Sequence, residues 1–96
     1  MSIILLKFAE SFVQSRLTPD IFSVSYMELW KIEGDAGLLQ LDPPGLSECL
    51  STIFCLADMY APGDEPLEVG ELNGESLIVE VAAMLKLLSD GGLPTP

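Results

Sequence analysis

The chain has 96 residues, of which 15 are Asp or Glu, four are Lys or Arg and none is His, so its formal net charge is −11 at pH 7. Its length suits one domain with a core of modest size, and a hydrophobic fraction of 49% argues against a disordered acidic tail. Direct binding of nucleic acid is disfavoured, because affinity for phosphates comes from Lys and Arg.

Apolar residues at helical spacing predict two helices in the first third of the chain. The first, over about residues 3–16, follows the i, i+3, i+4, i+7, i+8 pattern through Leu5, Phe8, Ala9, Phe12 and Val13. Thr18 is placed to cap the second helix, with Pro19 in its first turn and Gly34 just past its end. The buried stripe of this second helix is expected to consist of Phe22, Tyr26, Leu29 and Trp30.

A third helix is predicted up to about Tyr60, after a connection that contains two consecutive prolines. Asp42 is placed to cap this helix, and Pro43 or Pro44 opens its first turn. Its apolar face is expected to consist of Leu46, Cys49, Leu50, Ile53, Phe54 and Ala57.

The two cysteines and the lack of targeting segments indicate a cytoplasmic protein. Cys49 and Cys55 are six positions apart in one helix, about 9 Å along the axis, which is too far for a disulfide. We expect both to be reduced core thiols. The apolar run Ile3 to Leu6 is far shorter than the roughly 20 residues of a spanning helix, and we expect no signal peptide.

The residues after Asn73 and Gly74 predict a fourth helix that Gly91 and Gly92 terminate. Its apolar face is expected to consist of Leu77, Ile78, Val81, Met84, Leu85 and Leu88. The β-branched residues within 77–81 leave a short strand as the alternative. Four amphipathic helices predict an all-α fold, an antiparallel four-helix bundle. We expect residues 1–92 to form this domain and residues 93–96 to be a disordered tail.

The chain lacks the residue combinations that most catalytic and metal sites require. Without His there is no Ser-His or Cys-His pair, and carboxylates in a polar loop do not acquire the raised pKa of a buried general acid. The loop lacks the ligand pattern of an EF-hand, and Glu75 directly after Gly74 would repel a phosphate. We therefore expect no enzymatic activity, no cofactor and no metal.

The acidic residues form a long stretch of one sign. Residues 32–85, which are 54 consecutive positions, contain 11 carboxylates and no Lys, Arg or His. Like charges destabilise a compact chain through self-repulsion, and a field of one sign steers partners of the opposite sign. We therefore expect a basic partner.

The strongest functional signal lies between Asp58 and Glu71, where acids flank an aromatic residue. The candidate partner-binding residues are Asp58, Tyr60, Asp64, Glu65, Glu68 and Glu71. Solvation of an ordinary charged loop is the simpler interpretation of the acids. A tyrosine beside carboxylates, as Tyr60 is, is typical of the anchor residues of interfaces. Tyr60 is equally suited to cover the edge of the core.

Three segments of the chain carry a family likeness: FAESFVQSRLTPDIFS at 8–23, LADMYAPGDE at 56–65 and LNGESLIVEVAAMLKLL at 72–88. They resemble the colicin D immunity proteins and the related immunity proteins of contact-dependent inhibition systems. The shared features are the helix faces, the turn at Thr18, the corner at Pro62 and the Val79-Glu80-Val81 sequence. The likeness spans about residues 5 to 88.

The resemblance implies a four-helix protein that binds the tRNA-cleaving domain of its cognate toxin in the producing cell. Acids would then block the toxin's basic cleft in place of RNA phosphates, in a 1:1 complex with no direct contact to nucleic acid or membrane. The family positions of the contacting acids correspond to Asp58 and, less closely, to Asp64 and Glu65. Ala61 stands where the family has an acid, so Asp64, Glu65 or Glu68 is a candidate to replace that contact, and the cognate toxin is expected to differ.

Other interpretations stay open at this point. An acyl-carrier domain needs Asp-Ser-Leu at the start of its second helix, and the nearest match is Leu46-Ser47-Glu48, in the wrong order. A nucleic-acid mimic that inhibits another basic protein, such as a repressor or restriction enzyme, fits the same charge. So does an interaction module without an inhibitory role. Exposed Met59 or Leu67 would extend an interface with a partner or with a second copy, so the oligomeric state of the free protein is open.

Overall fold

A computed structural model describes residues 3–37, 43–63 and 66–90 of the chain. These residues form four helices, which are α1 (Ile3–Val13), α2 (Pro19–Asp35), α3 (Pro44–Met59) and α4 (Gly74–Ser89). Helix α1 packs on α2 and α4, and α3 packs on the same two helices. The predicted all-α four-helix bundle is confirmed, and the strand alternative at 77–81 is wrong because those residues lie in α4.

The first two helices end at other residues than the sequence pattern predicts. Helix α1 stops at Val13 rather than near residue 16, because Ser15 has a left-handed backbone (φ 65°) that a right-handed helix cannot include. The Thr18 hydroxyl accepts a hydrogen bond from the Ile21 N–H (3.2 Å), which confirms the predicted cap. Gly34 does not end α2, which continues to Asp35, since one glycine inside a helix costs only about 1 kcal/mol.

The last two helices begin differently from each other. Pro43 occupies the cap position of α3 and makes no side-chain cap; Asp42, the predicted cap, lies outside the described residues. Asn73 caps α4 by accepting a hydrogen bond from the Ser76 N–H at 2.8 Å. Helix α4 ends at Ser89, and the predicted glycine stop and the tail lie outside the described residues.

Stacked aromatic rings form the centre of the core. The Phe12 and Phe22 rings are nearly parallel, at 4° and 4.1 Å between centroids, and Tyr26 continues the stack at 5.3 Å from Phe22. The Tyr26 hydroxyl donates to the Leu50 carbonyl (2.7 Å) and so links α2 to α3. Burial raises the pKa of Tyr26 far above its ordinary value, so this hydroxyl stays a donor.

Two predictions about which residues are buried in the core are wrong. Leu29 and Trp30 are half-buried rather than buried, and the Trp30 ring packs on Phe54 with centroids 4.5 Å apart. Cys49 is buried, which raises the pKa of its thiol to about 11, but Cys55 is exposed. Six residues rotate a helix by about 600°, which is 120° from the starting face, so Cys55 cannot share the buried face of Cys49. Both thiols are free.

None of the helices in the described ranges has the length and hydrophobicity needed to cross a bilayer.

Candidate functional site

The chain that leaves α3 pairs with the chain that enters α4. The Leu72 N–H donates to the Met59 carbonyl (2.8 Å), and the Ala61 N–H donates to the Leu72 carbonyl (2.9 Å). These two bonds make an isolated parallel bridge between Tyr60 and Leu72. Both ends of the intervening acidic segment are therefore fixed to the bundle.

A tight turn holds two of the predicted acids together. The Glu71 N–H donates to the Glu68 carbonyl (3.0 Å), and the Glu68 N–H donates to the Glu71 side chain at Oε1 (2.7 Å). Gly70 is the third residue of this turn, and its φ of 87° is a conformation that glycine adopts readily. The turn therefore fixes the Glu71 carboxylate beside Glu68, although neither residue is buried.

Tyr60 connects the end of α3 to the beginning of α2. Its hydroxyl donates to Asp20 Oδ1 at 2.5 Å, across 40 positions of sequence. This hydrogen bond is the main reason why the pKa of Tyr60 rises to about 12, with burial as a smaller cause. The hydroxyl is therefore protonated at every physiological pH and remains a donor to Asp20.

Two clefts lie on either side of Tyr60 and Pro62. The first, here called the α2/α3 cleft, is lined by Asp20, Ser23, Val24, Met27, Ala57, Asp58, Tyr60 and Pro62. The second, here called the loop cleft, is lined by Tyr60, Ala61, Pro62, Pro66, Glu68 and Glu71. Tyr60 and Pro62 belong to both linings, so the two clefts adjoin. Every charged side chain that lines them, among the described residues, is a carboxylate.

The structure brings four of the six predicted site residues to these adjoining clefts. We call the following residues the acidic corner: Asp58, Tyr60, Pro62, Glu68 and Glu71. Asp58 and Glu68 are exposed, and Tyr60 and Glu71 are half-buried. Tyr60 also packs against the core, so the two roles considered for it are compatible. Asp64 and Glu65 lie outside the described residues.

Asp20 is a member of the α2/α3 cleft that the sequence did not identify. In sequence it is an acid in the first turn of a helix, a common position that complements the helix dipole. Its part in the cleft depends on the contact with Tyr60, which no local pattern encodes.

The acids of the described ranges do not converge in the manner of a metal site. Within residues 3–37, 43–63 and 66–90, no three Cys, Asp or Glu side chains are grouped so that they could hold an ion. The acidic corner is therefore an open charged surface formed along two clefts.

A family model described as bacterial self-protective colicin-like immunity matches residues 1–88. The chain belongs to this family. It is thus a colicin-like immunity protein, and its partner is a toxin protein that it neutralises. Proteins of this family are typically not enzymes. No curated protein and no solved structure matches the chain.

Proposed function

We propose that this immunity protein uses its acidic corner to block the basic active-site cleft of a toxin nuclease. The corner occupies the place where RNA phosphates would bind. The toxin is a tRNA-cleaving domain, the complex is 1:1, and it forms in the cytoplasm of the producing cell. Asp58, Glu68 and Glu71 are the carboxylates that replace phosphates, with Asp64 and Glu65 adjoining them in sequence. Tyr60 is the aromatic anchor between the two clefts.

The observation that carries this proposal is the constrained backbone of the acidic segment, in which the Glu71 carboxylate is itself held by a hydrogen bond. The turn at 68–71 holds Glu71 through a hydrogen bond to its own carboxylate, and the bridge at Leu72 holds the turn to α3. A surface that is ordered before binding loses less side-chain and loop entropy when it docks, which favours tight binding. Acids of a merely solvated loop would not need these constraints.

Electrostatics supports the same partner. A nuclease cleft must be basic to hold RNA, and a chain of net charge −11 presents the opposite potential to it. Such complementarity raises association rates to about 10⁸ M⁻¹s⁻¹ at low salt and lowers them as salt increases. Rapid capture suits a protein that must neutralise a toxin before RNA is cut.

Exposed apolar side chains lie near the acids in sequence, and they add apolar contact area to the charged surface. Met59 and Leu67 are 37% and 43% exposed, and Val69 is fully exposed at the turn between the two glutamates. Apolar contact area among charged groups is typical of interfaces that combine affinity with specificity. These three side chains extend the proposed contact surface beyond the carboxylates.

The test is a comparison of two variants with the same charge. One carries Asp58→Asn, Glu68→Gln and Glu71→Gln, and the other carries the exposed control substitutions Asp35→Asn, Glu48→Gln and Glu80→Gln. Each is co-expressed with candidate nuclease toxin domains. For the domain from which the wild-type chain protects growth, binding kinetics and RNA cleavage are then measured with purified proteins.

The proposal predicts that wild type and the control variant rescue growth and inhibit cleavage, whereas the corner variant dissociates at least about 100-fold faster. Equal loss in both variants would show that only net charge matters. Failure of the wild-type chain to bind or protect would end the proposal.

A further inference from the structure

The lining of the α2/α3 cleft combines apolar side chains with carboxylates. Val24, Met27 and Ala57 supply the apolar part, here called the floor, and the two carboxylates of Asp20 and Asp58 are here called the rim. The cleft measures about 350 Å³, and nothing in its described lining carries a positive charge. Val24 is 62% exposed and stands on the outer side of α2, so the cleft opens to a partner.

Only some side chains match this combination. An apolar side chain would fill the floor but strip water from two carboxylates without giving them any further donor, which is unfavourable. An acidic side chain would be repelled. A long basic side chain places an alkyl stem on the floor and a cation at the rim.

The details of the rim favour Arg over Lys. Asp20 already accepts the Tyr60 hydroxyl through Oδ1, so its other oxygen remains to receive a donor. A guanidinium has five N–H donors in a planar fork, which suits two separate carboxylates better than a compact ammonium does. It also stacks on aromatic faces, and the Tyr60 ring lines the same cleft.

We propose that the α2/α3 cleft receives one Arg side chain of the toxin, with its stem on Val24 and Met27 and its guanidinium at Asp20 and Asp58. This inference rests on the proposed function, and it adds α2 to the toxin-binding surface. It makes Asp20, Val24 and Met27 determinants of which toxin is recognised. A toxin without an Arg at this point of its surface is bound more weakly.

The first test fills the cleft without adding charge. Val24→Phe places a ring in the cleft, and Val79→Phe is a matched control on α4, where the valine is 64% exposed. We expect Val24→Phe to speed dissociation of the toxin complex by about tenfold or more, and Val79→Phe to change it by less than about twofold. Thermal unfolding of each variant checks that it is folded.

The second test identifies the Arg. Asp20→Asn keeps an oxygen that can accept the Tyr60 hydroxyl but loses the charge, and Asp35→Asn is its charge-matched control on α2. Each Arg of the toxin domain is replaced by Lys and by Ala, and double-mutant cycles are measured with both chain variants. We expect one toxin Arg to couple to Asp20→Asn by about fivefold or more in dissociation constant, and none to couple to Asp35→Asn.

The outcomes separate the two proposals. If the wild-type chain binds the toxin tightly but Val24→Phe and Val79→Phe have equal dissociation rates, the cleft assignment is overturned. The proposed function then stays intact. If Val24→Phe does not fold, the double-mutant cycles provide the test. The absence of any toxin Arg that couples to Asp20→Asn would also overturn the cleft assignment. A wild-type chain that does not bind the toxin removes the proposed function, and the cleft assignment with it.

Discussion

The aromatic core and the acidic corner are held in place by different forces. Phe12, Phe22 and Tyr26 have no exposed surface, and their burial supplies the main stabilisation of the bundle. The acidic corner buries little, yet five hydrogen bonds constrain it, two in the bridge, two in the 68–71 turn and one between Tyr60 and Asp20. Order that burial does not require is what we expect of a surface that is fixed before it binds a partner.

This comparison separates two kinds of substitution. Changes in the core alter the free energy of unfolding. They affect toxin binding only by changing the fraction of the protein that is folded. Changes in the acidic corner leave the free energy of unfolding nearly constant, because exposed charges and hydrogen bonds contribute little net stability. Their effect is expected in the toxin complex.

The largest expected effect is on stability. Phe12→Ala removes one ring of the stack and leaves a cavity, so we expect the free energy of unfolding to fall by about 3–5 kcal/mol. Ile4→Ala, at a position that is 65% exposed on the same helix, should change it by less than about 0.5 kcal/mol. Urea unfolding measures both, and equal effects would contradict the burial account of the core.

The second effect is on the toxin complex. Asp58→Ala should speed dissociation by about 10- to 100-fold, equivalent to roughly 1.4–2.8 kcal/mol, because a cation of the toxin loses its partner. Asp64→Ala is expected to act in the same direction. Stopped-flow or surface-based kinetics measure this, with Asp35→Ala as the control. Unchanged dissociation in both Asp58→Ala and Asp64→Ala would remove these residues from the interface.

A smaller effect isolates the contribution of preorganisation. Gly70→Ala puts a side chain on a left-handed residue, which costs about 1–2 kcal/mol, although the added methyl meets no atom within 4 Å. Gly37→Ala has the same kind of backbone (φ 77°) and the same free space, but it lies after α2, outside the acidic corner. We expect about threefold to tenfold faster dissociation for Gly70→Ala and none for Gly37→Ala. Equal kinetics would mean that the turn is not needed for binding.

The smallest effect concerns the Tyr60 hydroxyl and pH. The folded-state pKa of about 12 exceeds the ordinary value of 10.0, so this hydroxyl contributes fully below pH 10 and its contribution is lost as the pH rises toward 12. The stability difference between wild type and Tyr60→Phe should be below about 1 kcal/mol at pH 7 and should shrink above pH 10. Tyrosinate absorbance provides a direct check, since a wild-type tyrosine that ionises at pH 10 would contradict the bond to Asp20.

The sequence predicted the helices well because each one repeats its apolar residues at a period that only a helix can bury. Its errors fall at helix ends, where a single residue such as Ser15 decides the outcome. The Cys55 error has a different origin, since a residue 120° from the buried face was counted as part of it.

The candidate site was only partly predictable. Charge and resemblance led to the prediction of Asp58, Glu68 and Glu71 as contact residues, but neither indicates how the acids are held. The contact between Tyr60 and Asp20 joins residues 40 positions apart, and the 68–71 turn depends on a side chain that bonds its own loop. The first is a tertiary contact and the second is a local bond between residues three positions apart, and neither follows from the apolar or charge pattern.

Amide hydrogen exchange of the free and toxin-bound protein tests the central claim most directly. If the acidic corner enters the toxin's basic cleft, amides at 57–63 and 67–72 should exchange more slowly in the complex, as should those at the beginning of α2. Amides on the outer faces of α1 and α4 should not change. Protection confined to α1 or α4, with the acidic corner exchanging as in the free protein, would contradict the account.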